Sequence, residues 1–387
     1  MKRKQKLSRR EFLKLSALAV GGLALSGGTT GRVFAEENEP LIQEVVADEF
    51  PVNQLLGRIC SGEWGTRIPI KSEPFVDAPT VGTAWHDDVF VWKQEVVATQ
   101  VDPTRVHQRW VETPEGYIYA DDLQRVWHIP QTPLSELPEQ ADGSRGMWVE
   151  ITTPFRNIDL TKPKADYQAW IRYEHMPFPR VYFSQVYWAF DIRQNPSTGK
   201  PQYLLMQKHG AWPDTYWVDA DVCHYITPEE IAPIHPDADN KRIVVTMRGQ
   251  GWHGLQTLTC YEGDEEVFFT TVTTGGYSAG RLITPLGRHT PWRKNISMHY
   301  SEYEQFDLPG VGWNYGIEPN GTYIHSTYWH NAFGIMKSNG CINCRPDDAK
   351  WIWRWVEPEI PYAIGDDLSI GGSWFGKSTP VTVELVS

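Results

Sequence analysis

A histidine and a cysteine sixteen residues apart, near the C-terminus, are the residues with the clearest chemical potential in this sequence. His325-Ser326 comes first, and the short polar turn Ser338–Cys341 follows it. An imidazole that accepts a thiol proton makes cysteine a nucleophile for carbonyl carbon, and amides of a tight turn can hold the oxyanion. Gly340 lets the backbone of the turn approach a substrate carbonyl closely. The pattern therefore indicates cysteine acyl transfer.

This segment resembles the active-site signature of L,D-transpeptidases of the YkuD family, which cross-link cell-wall peptides. That signature runs His, a spacer, then Ser/Thr-His-Gly-Cys-x-Asn, and here it reads His325, a spacer, then Ser338 to Asn343. Asn339 departs from it, because it stands where the family usually has a second His. The resemblance implies a mainly β fold, whose β-sandwich-like catalytic domain has one helix after the Cys turn. It implies no cofactor and no metal.

The resemblance also implies a role for each residue of the segment. Cys341 is the nucleophile and His325 its base, and the carbonyl of Ser326 fixes the imidazole tautomer. Gly340 and Asn339 belong to the catalytic turn, where Asn339 is expected to donate a hydrogen bond but cannot carry a proton. The residues expected to bind substrate or to form the pocket wall are Ser338, Asn343, Tyr328, Trp329 and His330.

In the reaction that the resemblance implies, Cys341 attacks the carbonyl of the third residue of a peptidoglycan donor stem. A D-amino acid leaves and a thioester forms, and the side-chain amine of another stem's third residue then gives a 3→3 cross-link. Peptidoglycan stem peptides are therefore the expected partners.

Because the Cys turn precedes a predicted helix, amides and the helix dipole are expected to favour the thiolate form of Cys341.

Other interpretations of the same residues stay open. His325, His330, Cys341 and Cys344 are spaced as four zinc ligands can be. Cys341 and Cys344 could also form a redox pair or a disulfide that silences the nucleophile. The non-catalytic alternatives are that Cys341 is a buried structural thiol and that His325 is a polar residue at the end of a strand. Because of Asn339, a wall-binding protein without catalysis is the alternative function.

The first 35 residues have the pattern of an export signal. A basic segment containing Ser8–Lys14 precedes the apolar run Leu15–Gly27, and Val33–Ala35 provides a small-residue cleavage site. The paired arginines resemble a twin-arginine (Tat) signal, and an uncleaved membrane anchor is the alternative. The expected location is the cell wall, the periplasm or the extracellular space.

Charge and composition restrict the partners of the chain. The 387 residues carry a formal charge of −12, and without the leader's eight Lys/Arg and one Glu the remainder has 28 basic and 47 acidic side chains, a charge of −19. This acidity argues against nucleic acid as a partner. No stretch after the leader is long and apolar enough to span a bilayer. Eighteen Trp suit binding of wall polymer, or equally the core of a β-rich fold. An odd number of cysteines, five, indicates at least one free thiol.

Residues 55–128 resemble a bacterial SH3-like domain. The resemblance lies in the closing pattern Trp110-Val111, then Gly116–Ile118, then Leu123-Gln124. It implies a small barrel that binds cell wall polymer. Pro- and acid-rich composition predicts linkers at 36–54 and 129–146.

Residues 147–236 are predicted to be a β-rich intermediate segment without recognised chemistry. Its runs Tyr187–Ile192 and Gln202–Leu204 predict a hairpin around a Pro- and Gly-containing turn.

Residues 237–387 are the predicted catalytic domain. Strands are expected at Arg242–Val245, Gln256–Tyr261 and Val267–Val272, and the last strands near Tyr362–Ile364 and Val381–Val386.

A helix is predicted from Pro346 to Val356, because Pro and two acids occupy its first turn and apolar residues recur along one face. Glu357-Pro358 ends it. The turn Thr284–Gly287 resembles the family's T-P-x-G turn, which leads to the strand that approaches the active site.

Overall fold

The computed structural model describes residues 50–61, 66–161, 179–210, 215–249, 254–302, 306–366 and 378–386. The predicted export signal, 1–35, and residues 36–49 of the first predicted linker lie outside the described residues. The described chain is mainly β, as predicted, and residues 50–387 form one unit. Within the described ranges, no helix combines the length and apolar character needed to cross a membrane.

Residues 55–128, the first β unit, form two small antiparallel sheets. The strands are β1 (Leu56–Ile59), β2 (Arg67–Lys71), β3 (Thr80–Trp85), β4 (Val89–Val91), β5 (Gln94–Val97), β6 (Arg109–Thr113), β7 (Gly116–Tyr119) and β8 (Leu123–Val126). Their orders are β3-β2-β7-β6-β5 and β4-β1-β8. Ile59, Trp92, Val111, Ile118 and Leu123 are among the residues of the shared core. The SH3-like likeness of this unit stays a prediction.

The intermediate segment, residues 147–236, is built on a six-stranded sheet. The strands are β9 (Met147–Ile151), β10 (Phe155–Asn157), β11 (Asp159–Leu160), β12 (Arg180–Tyr182), β13 (Val186–Gln194), β14 (Pro201–Met206), β15 (Thr215–Asp219) and β16 (Cys223–Ile226). The sheet order is β11-β15-β14-β13-β9-β16, so the predicted hairpin is confirmed as β13–β14. Leu137, within the second predicted linker, is buried in the core of this segment.

The first β unit and the intermediate segment end in the same way. A one-turn 3-10 helix, Ala120–Asp122, joins β7 to β8, and another, Ala220–Val222, joins β15 to β16. In both, the N–H of the following residue donates to the carbonyl of the Ala that begins the turn. The hydrophobic pattern of the two segments did not predict this likeness. A third 3-10 helix, Glu229–Ile231, leads into the C-terminal domain.

The C-terminal domain, residues 237–387, packs two sheets and one helix around the largest core. The strands are β17 (Lys241–Arg248), β18 (Thr257–Glu262), β19 (Glu265–Thr271), β20 (Thr274–Gly275), β21 (Tyr277–Ser278), β22 (Arg281–Leu282), β23 (Gly287–His289), β24 (Arg293–Glu302), β25 (Phe306–Glu318), β26 (Thr322–Ser326), β27 (Met336–Ser338), β28 (Ile342–Cys344) and β29 (Val381–Val386). The sheet orders are β19-β18-β17-β29-β23 and β24-β25-β26-β28. The predicted strands at Arg242–Val245, Gln256–Tyr261, Val267–Val272 and Val381–Val386 are confirmed, whereas Tyr362–Ile364 is a turn and not a strand.

Helix α1 (Pro346–Trp355) follows the Cys turn as predicted, with Pro346 in its first turn and Asp347 and Asp348 beside it. Ile352, Trp353 and other apolar residues of one face lie in the domain core. Tyr362 fails as a strand because its hydroxyl donates to the Ile226 carbonyl, 2.9 Å away, and its backbone carbonyl accepts from the Trp148 indole. The turn conformation directs the hydroxyl and the carbonyl of Tyr362 toward the intermediate segment.

A buried ionic network joins the three parts of the chain. Arg58 and Arg180 donate to the two oxygens of Asp87, at 2.8 and 2.6 Å, and the Asp87 side chain is fully buried. Arg58 also donates to the backbone carbonyl of Tyr328, at 2.7 Å. Burial opposes the charge of Asp87, but the two guanidinium groups hold the pKa of its carboxyl below the usual value. The network thus links the first β unit, the intermediate segment and the C-terminal domain.

Asp87→Asn should destabilise the protein by about 3–5 kcal/mol, because it leaves two buried arginines without their counter-charge. Urea unfolding of the variant and the wild type measures the difference. Asp142→Asn is the matched control, since Asp142 lies in an exposed turn and its change should stay within about 0.5 kcal/mol. An Asp87→Asn protein within about 1 kcal/mol of wild type would contradict the prediction.

Candidate active site

Two parallel strands bring the histidine and the cysteine to one face of a sheet. In β26 and β28, Ile324 lies opposite Ile342 and His325 opposite Asn343. Because side chains alternate along a strand, Ile324 and Ile342 enter the core while His325 and Asn343 point to the other side. A parallel pairing needs a connection of about a dozen residues or more, and the fifteen residues from 327 to 341, between the end of β26 and the start of β28, supply it.

A cavity of about 420 Å³ opens on that face. Seven of the ten predicted site residues line it: His325, Trp329, His330, Ser338, Asn339, Cys341 and Asn343. Ser326, Gly340 and Tyr328 do not. Tyr300, Phe306 and Leu308 of the β24–β25 hairpin form an apolar wall that the sequence did not predict.

Hydrogen bonds from three directions fix the Cys turn. Ser338 Oγ donates to the Cys341 carbonyl at 2.5 Å and accepts from Gly340 N–H at 3.2 Å. Gly340 has φ +122°, a conformation that other residues rarely adopt. Thr284 Oγ1 donates to the Gly340 carbonyl at 2.8 Å and accepts from the Gly275 N–H at 2.7 Å. Thr284 is therefore a positioning residue, and its only sequence signal was the T-P-x-G turn.

Cys341 is a protonated thiol in this site. Burial raises the pKa of the Cys341 thiol to about 11, although a hydrogen bond from the Tyr323 backbone lowers it somewhat. The thiol donates to the Gly321 carbonyl at 3.5 Å. The expectation of a favoured thiolate is wrong, because Gly340 N–H is already bonded to Ser338 Oγ and the strand β28 separates Cys341 from helix α1.

His325 is held as a neutral base. Its Nδ1–H donates to the Ser326 carbonyl at 2.7 Å, which leaves the lone pair on Nε2. Its ring lies between those of Tyr300 and Trp329, with centroids 5.2 and 5.8 Å away. The side chain is only 3% exposed, and burial lowers the pKa of His325 to about 4. The tautomer predicted from the Ser326 carbonyl agrees with this geometry.

His330 and Asn343 support each other across the cavity floor. His330 Nδ1 accepts from the Ala332 N–H at 3.2 Å, and its Nε2 lies 3.0 Å from the Asn343 amide. The Asn343 atom at this distance is the amide Nδ2, so the Asn343 side chain contacts the ring nitrogen that the Ala332 N–H does not. The Asn343 backbone pairs with Thr273 in both directions, at 2.8 and 2.9 Å. Burial holds the pKa of His330 well below its ordinary value, so this imidazole is a neutral wall of the pocket.

Asn339 and Tyr328 differ from their expected places. The Asn339 side chain is exposed and has no hydrogen-bond partner among the described residues, so the predicted bond to the turn is not made. Tyr328 lies behind the cavity wall: its ring stacks on Tyr182 and its hydroxyl donates to the Pro309 carbonyl at 3.0 Å. Ser326 Oγ accepts from the Gly312 N–H at 3.1 Å, which ties the histidine strand to β25.

The first β unit completes the cavity. Cys60, Ser61 and His86 line it beside the predicted residues. His86 lies beside the buried Asp87 and is hydrogen-bonded to the Ser61 backbone. Nothing in the motif or in the SH3-like pattern pointed to these residues, because the contact depends on how two distant segments pack.

The same unit also makes three hydrogen bonds to the spacer of the motif, two to backbone carbonyls and one from a side-chain amide. Arg58 donates to the Tyr328 carbonyl, and the His107 ring donates to the Phe333 carbonyl. In the opposite direction, the Asn331 amide donates to the Ala120 carbonyl at 3.0 Å. Trp329 and His330 therefore occupy a loop that the first β unit shapes.

The alternation of β28 bears on the zinc and redox interpretations. Cys344 shares the core-facing side with Ile342 and is fully buried, whereas Cys341 lines the cavity. The two cysteines thus point to opposite sides of the strand and cannot converge with His325 and His330. Across the described ranges, no group of three or more His, Cys, Asp or Glu side chains is arranged to hold a metal ion.

The C-terminal domain is similar to a known protein family. Residues 240–383 match the family model of the L,D-transpeptidase catalytic domain, YkuD. That family consists of transpeptidase enzymes that act on peptidoglycan stem peptides, typically outside the cytoplasm. No curated protein matches the chain.

Several solved structures of L,D-transpeptidases are similar to part of the chain. A mutant of the Enterococcus faecium enzyme has 18% identity and a TM-score of 0.28, over 50% of this chain and 73% of that one. The catalytic domain of the E. faecium enzyme has 19% identity and a TM-score of 0.26, over 38% and 98%. An enzyme from Stackebrandtia nassauensis has 23% identity and a TM-score of 0.24, over 40% and 63%. Scores this low do not describe the overall arrangement of this chain.

Proposed function

We propose that this protein is an exported L,D-transpeptidase that forms 3→3 cross-links in peptidoglycan, or attaches other acceptors to stem peptides, through a Cys341 thioester. The observation that carries the proposal is that Cys341 and a tautomer-fixed His325 line one cavity, within the segment that matches the YkuD family. Fixing the tautomer directs the free lone pair of His325 to the side away from Ser326, as a general base requires.

The reaction follows from the two neutral groups. His325 Nε2 takes the thiol proton as Cys341 Sγ attacks the carbonyl of the third stem residue. The proton then passes to the leaving nitrogen, so a D-amino acid departs and a thioester remains. The amine of a second stem attacks this thioester and gives up a proton to His325, and the thiol is released as the new amide forms. Ser338 and Thr284 keep the turn in place through both steps.

The remaining parts of the proposal concern where the enzyme acts. The basic, twin-arginine-containing leader supports export to the cell wall, periplasm or extracellular space. The first β unit contacts cell wall polymer in this proposal, and its position beside the cavity supports contact with the same substrate that Cys341 attacks.

Acylation by a carbapenem, followed by intact mass, tests the function. We expect the wild type to gain one carbapenem mass and to join two stem peptides in a parallel assay. Asn339→His should increase the acylation rate modestly, by about two- to ten-fold, since one added hydrogen-bond donor to the oxyanion region contributes less than a whole oxyanion hole. A wild type that stays inert while Asn339→His reacts would instead indicate a wall-binding protein that has lost catalysis.

A further inference from the structure

The charge of the cavity is concentrated on one side chain. Among the described residues that line it, Lys337 is the only Lys, Arg, Asp or Glu. The three lining histidines, His86, His325 and His330, are neutral there because burial lowers the pKa of each. Burial likewise raises the pKa of the Cys60 thiol to about 12. A chain with a formal charge of −12 therefore presents a single positive charge beside Cys341.

Lys337 is exposed and is not engaged by the protein around it. It forms no hydrogen bond or ion pair with the residues that the structure describes. Burial raises the pKa of the Asp121 and Asp122 carboxyls, and the charge of Lys337 partly offsets this rise. Lys337 therefore interacts electrostatically with these two carboxyls but forms no ion pair with either. The Asp122 carboxylate is itself bonded to Ser61 Oγ, at 2.6 Å. The ammonium group is thus available to an anion that enters the cavity.

The backbone of Lys337 is held by its strand, although its ammonium group forms no hydrogen bond or ion pair with the described residues. It is the central residue of β27, which pairs in parallel with β20. Met336 on one side of it is buried in the domain core, and Ser338 on the other side is bonded to the Cys turn. The lysine stem therefore starts from a constant point four residues before the nucleophile.

We infer that Lys337 is a specificity-determining residue that binds the free C-terminal carboxylate of the donor peptide. The inference rests on the proposed function. In that reaction the bond broken precedes the last donor residue, so its carboxylate lies about one Cα–Cα step, roughly 3.8 Å, beyond the attacked carbonyl. Lys337 lines the same cavity as Cys341, so its cation can receive this carboxylate. A donor with a free carboxylate is then preferred to one whose terminus is amidated.

The test compares two tetrapeptide donors that differ only in ending with a carboxylate or a carboxamide. We expect wild type to have a kcat/KM about three- to five-fold higher for the acid, the upper part of the range of a solvent-exposed charge pair. Lys337→Met should bring the two donors to within about two-fold of each other, and Lys337→Arg should keep most of the preference. Added salt should reduce the preference of wild type by screening, and have little effect on the ratio for Lys337→Met.

Lys200→Met is the matched control. Lys200 is an exposed lysine of the intermediate segment, and its loss changes the net charge equally, so this variant should keep the wild-type preference. A Lys337→Met protein that still prefers the acid would overturn the inference. So would a variant that loses activity toward both donors equally, since Lys337 would then act elsewhere on the substrate. A wild type that neither reacts with a carbapenem nor consumes either donor would overturn the proposed function as well.

Discussion

Cys341→Ala is expected to abolish both the carbapenem adduct and the cross-linked product while the protein stays folded. The substitution removes the nucleophilic sulfur but little volume, and Cys341 is only half-buried. Cys60 and Cys344 are not expected to replace it, because Cys60 is buried with its thiol donating to the Asp122 carbonyl at 3.6 Å and Cys344 is buried in the domain core. Intact mass after carbapenem treatment and separation of the stem-peptide products measure the loss, and a urea unfolding curve checks the fold.

Cys344→Ala is the control for this variant. It removes a thiol from β28, three residues after Cys341 and on the side that faces the core, and should cost about 1–2 kcal/mol of stability for the atoms removed. Its acylation should remain within a few-fold of wild type. If Cys344→Ala were inert and Cys341→Ala active, the nucleophile assigned to the cavity would be the wrong one.

His325→Ala should lower the rate of carbapenem acylation by about 10²–10⁴-fold, the range expected when a positioned general base is removed.

The acylation rate of the wild type should depend on pH through the ionisation of His325 and Cys341. The base must be neutral, and its lowered pKa of about 4 keeps it neutral until the pH falls through that value. The thiol stays protonated up to its pKa of about 11. The second-order rate of acylation should therefore be nearly level from about pH 6 to 9 and fall only near pH 4.

His235→Ala is the comparison, because His235 is an exposed histidine outside the cavity and its loss should leave the rate as it is. Acylation rates of the two variants at one pH, and of wild type across the pH range, give the result. Normal acylation by His325→Ala would exclude the Cys–His mechanism. A wild-type acid limb centred near pH 6.5, the ordinary pKa of histidine, would show that burial does not govern His325.

The sequence predicted those parts of the site whose structure is specified by residues close together in the chain. The His325 strand, the Cys341 turn and helix α1 are each specified by residues that are close together in the chain, so the motif and the helix signals located them. The order of the strands around them could not be derived from periodicity. The parallel pairing of β26 with β28 depends on the spacer and on the core beneath it.

Features that depend on packing between distant segments were missed or wrongly predicted. The protonation of Cys341 depends on how deeply neighbouring parts surround it, so nearby amides in the sequence were a poor guide. Tyr328 follows His325 closely, yet the stacking of Tyr182 turns it away from the cavity. Thr284 and His86 reach the site from 57 and 255 residues before Cys341, and no spacing rule connects such positions.

The Asp87 network and the three bonds to the motif's spacer also determine how the enzyme can meet an extended polymer. A binding module on a flexible linker lets a catalytic domain search a volume around the point of attachment. Here the first β unit and Cys341 are parts of one body, so any polymer held by that unit lies at a constant distance from the nucleophile. In the proposed reaction, this constant distance would favour stems at one interval along a polymer that the first β unit binds.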